Sequence, residues 1–156
     1  MTKLNNMQYN EIIALCRANN ARVRANVSEH EYKQGDKYYM STSAVSGLSS
    51  DSFMFGLCKF GQYFGANVGL HQQTRIEQGG YFLECYEGKL SKMYKENGFH
   101  IVARVPWDDQ YLAAGELKHK PDIVFMSLYN HDTINADTYE HGYEVAKNSK
   151  YNGIKS

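Results

Sequence analysis

The chain has 156 residues, 42% of them hydrophobic and 22% charged, with 17 basic residues against 17 acidic ones. That length suits one domain with a real core and not two, and a net charge of zero argues against a broad nucleic-acid or acidic-membrane footprint. No apolar run approaches the ~20 residues of a membrane span, and the opening MTKLNNMQYN holds no apolar signal region, so a cytoplasmic location is expected.

Residues 10–25 predict a helix with Asn10 as N-cap and Ile12, Leu15, Cys16 and Val23 on an imperfect apolar face. Arg17, Arg22 and Arg24 fall toward its C-terminal end, where the helix dipole favours them. Residues 26–36 are polar and read as a loop, with Gly35-Asp36 as a turn. Residues 37–61 predict a hairpin of strands 38–48 and 53–60, joined by Ser49-Ser50-Asp51-Ser52. Serines and a glycine in its first strand suggest a two-sided element or one near a sheet edge. The stretch GQYFGAN, 61–67, is a glycine-containing loop, and 67–78 reads as a weak helix on Val68, Leu70, Thr74 and Ile76. Gly69 inside it costs roughly 1 kcal/mol relative to alanine.

The most informative stretch is 79–105, GGYFLECYEGKLSKMYKENGFHIVARV. Tyr81, Phe82, Leu83 and Cys85 make a buried-strand run after Gly79-Gly80. Leu90, Met93 and Tyr94 fall at i, i+3 and i+4 on one face of a short helix. Asn97-Gly98 stops that helix, with Gly98 suited to the left-handed position beyond the end, and a strand resumes at Phe99. A loop with Pro106, Trp107, Asp108 and Asp109 follows. DIVFMSL, 122–128, is a last strand whose free edge, with exposed tyrosines, would suit a homodimer. Residues 129–156 are polar, an extension holding a short helix near 136–147 or staying partly disordered. The order α, β, β, loop-α, β, α, β, β suits an α/β or α+β sandwich. Cys16, Cys58 and Cys85 show no metal-binding spacing and read as reduced thiols, so no metal is expected.

Over residues 53–126 the chain resembles the GCN5-related N-acetyltransferase (GNAT) family. The residues that carry the likeness are Leu83-Glu84-Cys85, Gly88-Lys89-Leu90, KMYKENGF from Lys92 to Phe99, ARVPWDDQY and PDIVFM. Together they are similar to small acetyltransferase-like proteins of phages and prophages. In that family a strand leads to a glycine-rich loop and a helix, then a strand, a helix and a closing hairpin. The resemblance implies a mixed, mostly antiparallel central sheet flanked by helices, with residues 1–128 as the domain. It implies acetyl-coenzyme A as cofactor, bound by Leu57, Lys59, Gly61, Gln62, Tyr63, Phe64, Gly65, Ala66 and Asn67, and direct transfer to an amine. Backbone N–H groups at a helix N-terminus attract a pyrophosphate, and glycine allows close approach. Gln62 and Gly65 match the family's loop, whereas Asn67 stands where a small residue belongs and Tyr63-Phe64 are bulky. Backbone N–H groups of strand 53–60 would polarise the thioester carbonyl.

The resemblance implies that Tyr94 protonates the departing thiolate and that Glu84 accepts a proton from the amine. Glu87 and His100 are weaker candidates, and Cys85 has no histidine partner nearby in sequence. Two readings follow. One is an acetyltransferase acting on an unidentified amine of a protein or small molecule, with the N-terminal region and loop 106–121 facing the acceptor. The other is an inactive relative that binds and blocks a host protein or serves a structural role. Neither involves nucleic acid or membrane.

Overall fold

The computed structural model describes residues 1–60, 66–108 and 120–155. They form the mixed α and β protein expected from the element order, with five helices and ten strands in mostly antiparallel sheets. None of these helices is long and apolar enough to cross a membrane. The chain divides into two compact units, Met1–Gly80 and Tyr81–Ser156.

The first unit runs β1 (Thr2–Leu4), α1 (Asn6–Asn19), α2 (Ala21–Asn26), β2 (Lys37–Met40), β3 (Ala44–Leu48), β4 (Met54–Lys59) and α3 (Ala66–Glu77). Helix α1 starts before the expected Asn10 because Asn5 and Gln8 form a capping box. The Asn5 side chain accepts from the Gln8 N–H at 2.8 Å, and the Gln8 side chain accepts from the Asn5 N–H at 2.9 Å. Asn10 lies inside the helix instead, where its side chain accepts from the backbone N–H of His30. Extended backbone at Asn20 splits the expected single helix in two. Tyr9 and Ile13, one helical turn apart, bury the inner face of α1 against Leu4, Tyr38, Val45 and Cys58.

Strands β1 to β4 form one antiparallel sheet in sequence order. The expected strand 38–48 is two strands, because the chain turns where the Ser41 N–H bonds the Ala44 carbonyl at 2.9 Å. Of the two expected settings for β3 the two-sided one holds: it lies between β2 and β4, and every residue in it is buried. Its serine and glycine have packing reasons. Side chains alternate along the strand, so Val45 joins the core under α1 while Ser46 meets His71 and Arg75 of α3. Gly47 leaves room for the Phe55 ring, which a Cβ there would meet at 2.2 Å. The 49–52 turn is as expected, closed by the Ser52 N–H to the Ser49 carbonyl at 3.0 Å. Strand β4 carries a bulge: Cys58 opposes Val45 and Phe55 opposes Gly47, leaving one extra residue on β4. Gly56, at φ 64°, makes that step, and the Tyr9 hydroxyl fills the place its side chain would take.

The second unit runs β5 (Phe82–Tyr86), α4 (Lys89–Glu96), β6 (His100–Val105), β7 (Ile123–Ser127), β8 (Tyr129–Asn130), β9 (Ile134–Asn135), α5 (Tyr139–Asn152) and β10 (Ile154–Lys155). Its main sheet has the order β5-β7-β6-β9, antiparallel except for the β6–β9 pair. Strand β7 is interior and wholly buried, as its apolar run requires. It is therefore not the free edge on which the homodimer expectation rested. Residues 129–156 hold α5, which starts at an N-cap where Thr138 Oγ1 accepts from the His141 N–H at 3.1 Å. Tyr139 and Tyr143 pack it edge-on against Phe125 and Phe82 of the sheet.

Candidate functional site

Tyr94 sits in the last turn of α4, two positions before its last residue, Glu96. The Phe99 N–H bonds the Tyr94 carbonyl at 3.0 Å, and the Gly98 N–H bonds the Lys95 carbonyl at 3.2 Å, with Gly98 at φ 94°. This is a Schellman stop, whose customary apolar contact is the Tyr94–Phe99 ring pair at 5.9 Å. The tyrosine, glycine and phenylalanine of KMYKENGF thus have a complete local explanation as a helix stop. The phenol itself is buried, and no hydrogen bond to its oxygen is found among the described residues. Burial first, then the neighbouring Cys85 and Glu84, pushes its pKa well above 10, so it holds its proton at neutral pH.

Glu84 lies at the middle of β5, directly opposite Phe125 of β7. Opposed residues share a face, so Glu84 lies on the side where Phe125 meets α5. Its neighbours Leu83 and Cys85 turn to the other side. The Tyr94 phenol lies near enough to Cys85 and Glu84 for both to bear on its proton. Glu84 has no hydrogen bond or ion pair among the described residues, and burial alone raises its carboxyl to about 7. A carboxylate so poised exchanges a proton at physiological pH.

Strand β5 ends its sheet, and β4 ends the sheet of the first unit. Leu57 and Lys59 are half-buried on β4. Gly61, Gln62, Tyr63, Phe64 and Gly65 lie outside the described residues; Ala66 and Asn67 open α3. Glu87 is engaged in an exposed ion pair with Arg104 at 2.5 Å, and His100 is half-buried on β6. Burial and the Glu84 and Glu87 charges push the Cys85 thiol up, which leaves it a poor nucleophile.

A polar cluster in the first unit escaped the sequence reading. Arg75 donates to Ser46 Oγ at 3.2 Å, Ser46 Oγ meets His71 Nδ1 at 2.6 Å, and His71 Nε2 meets Ser41 Oγ at 3.0 Å. Arginine only donates, so Ser46 Oγ accepts from Arg75 and keeps its proton and second lone pair for His71 Nδ1. Burial, and then the Arg75 charge, lower the His71 pKa to about 4. Arg75, stacked 3.6 Å above Tyr39, is 1% exposed. A serine-histidine contact this enclosed knits α3 to β3 and presents nothing to a substrate. No sequence signal could have shown it, because its members are some 30 residues apart along the chain.

Known protein families, curated proteins and solved structures contain no match to this chain.

Proposed function

We propose that the chain is an N-acetyltransferase-like protein that moves an acetyl group from acetyl-coenzyme A directly to an amine of a protein or small molecule. The observation that carries this reading is Glu84, a half-buried carboxyl on an end strand with no partner among the described residues, which desolvation raises to about 7. The element order supports it: β4, α3, β5, α4 and the antiparallel pair β6–β7 follow the strand, helix, strand, helix and hairpin order of the GNAT family. The amine adds to the carbonyl carbon, Glu84 takes a proton from the attacking nitrogen through water, and the C–S bond breaks. Tyr94 gives its proton to the departing thiolate and regains one from solvent.

The second reading, an inactive relative that binds a host protein, is favoured by the Schellman stop, which accounts for Tyr94 without chemistry. The two separate on coenzyme binding. Acetyl-coenzyme A at 100 times a micromolar Kd should stabilise the protein by about 2.7 kcal/mol, seen as a higher melting temperature. No shift and no heat of binding would sink the acetyltransferase reading and leave the binding protein.

A further inference from the structure

Of the three cysteines, two meet. Cys58 belongs to the buried cluster under α1, and Cys16 packs against that cluster from the helix side. Helical spacing explains the meeting. Cys16 follows Ile13 by three positions and Ile12 by four, so it lies on the face that α1 turns to the sheet. Cys58 lies on β4 directly opposite Val45 of β3, another member of the cluster. The two thiols are in hydrogen-bonding contact. Both belong to the first unit, so the contact depends on nothing outside it.

The two sulfurs differ in access. Cys16 is only half-buried, whereas Cys58 is 3% exposed. Burial, and then the Cys16 thiol, push the Cys58 thiol up to about 12, so it keeps its proton. The part that Cys16 contributes ends when Cys16 is oxidised. The Cys58 S–H also reaches the Lys59 carbonyl at 3.8 Å. An oxidant arriving from solvent therefore meets Cys16 first and finds Cys58 behind it. A reachable thiol with a second thiol in contact is the arrangement of a redox-responsive pair, because the second captures the first oxidation product before it oxidises further. Cys85, in the second unit, has no such partner: its raised pKa traces to burial, Glu84 and Glu87.

We propose that Cys16 and Cys58 are a modification site, which hydrogen peroxide closes into a disulfide that ties α1 to β4. The site is independent of the acetyl-transfer reading. Cys16 gives its proton to solvent and its sulfur attacks one oxygen of the peroxide. The O–O bond breaks, hydroxide leaves, and Cys16 becomes a sulfenic acid. The Cys58 sulfur then attacks the Cys16 sulfur. The S–O bond breaks, the S–S bond forms, and the departing hydroxide takes the Cys58 proton as water. The thiol pair loses two electrons, and the peroxide gains them and ends as water. The new bond closes the chain from residue 16 to residue 58 and restrains the unfolded state of the first unit.

The test uses the intact protein, treated with hydrogen peroxide at neutral pH and then unfolded in N-ethylmaleimide. The oxidised chain should lose the mass of two hydrogens and take up maleimide on Cys85 alone, and peptide mapping should find Cys16 joined to Cys58. Its melting temperature should rise by about 10 °C and return to the starting value with dithiothreitol. Cys58→Ala should leave a sulfenic acid at Cys16, captured by dimedone, and Cys16→Ser should leave Cys58 a free thiol. Absence of the Cys16–Cys58 peptide, a bond that includes Cys85, or a bond between two chains overturns the proposal. A melting temperature lowered by oxidation also overturns it, because the native contact would then not fit the bond. A sulfenic acid on Cys58 in place of Cys16 overturns it too.

Discussion

At the scale of single residues, Tyr94 and Glu84 have different standing. Tyr94 has a structural job that its ring performs and its hydroxyl does not, because the contact with Phe99 is apolar. Tyr94→Phe keeps that contact, so the melting temperature should hold while acetyl transfer falls by 10- to 100-fold. Turnover equal to wild type would take the acid role from Tyr94. Glu84 is half-buried with no partner among the described residues, and withdrawing a carboxyl from water without one is costly. Its folded pKa of about 7 exceeds the ordinary 4.5. The folded state therefore holds the proton more tightly, and this favourable effect is complete below about pH 4.5 and lost as pH rises through 7. Glu84→Gln should then stabilise the protein by roughly 2–3 kcal/mol at pH 8 and by almost nothing at pH 4. Denaturant unfolding at the two pH values checks it; equal gains at both would show that Glu84 is not desolvated. A gain in stability joined to a loss of turnover is what a group retained for function gives.

At the scale of elements, helix stops and starts were readable where they rest on neighbours in sequence. The stop at Asn97-Gly98 and the turn at 49–52 follow from local chemistry, and both stand as expected. Gly98→Ala should cost about 1 kcal/mol, since φ 94° is strained for any side chain. It should also raise amide exchange at Phe99, and unchanged exchange there would count against the stop. The start of α1 was misplaced because two asparagine caps compete. Asn5 wins through the reciprocal bond with Gln8, which frees Asn10 to hold His30. The break between β2 and β3 and the bulge at Gly56 were not legible. Both arise from pairing between strands, and a two-residue period cannot reveal which residue is skipped.

At the scale of the whole molecule, the two units answer acid in opposite directions. His71 in the first unit is buried neutral with a pKa of about 4, below the ordinary 6.5. Its contribution is complete above pH 6.5 and is lost as pH falls toward 4, when the imidazole must charge beside Arg75. Glu84 in the second unit gains over the same interval. Between pH 7 and 4.5, amide protection in β3 and α3 should fall while that in β5 and β7 is held or rises, each by the equivalent of roughly 2–3 kcal/mol. Protection that falls equally in both units would rule out this division.

By itself the sequence determined the class of fold and the succession from β4 to β7, without β1, α2, the break between β2 and β3 or the strands β8 to β10, and it marked Tyr94 and Glu84 as candidates. Each of these is carried by periodicity, by turn residues or by short phrases, all of which act over a few neighbours. Tertiary structure alone decided that β7 is interior, that Glu84 opposes Phe125, and that Ser46, His71 and Arg75 meet. It also decided that Cys16 meets Cys58. These depend on which strand pairs with which, and on what burial does to a proton. Contacts between residues far apart along the chain settle both.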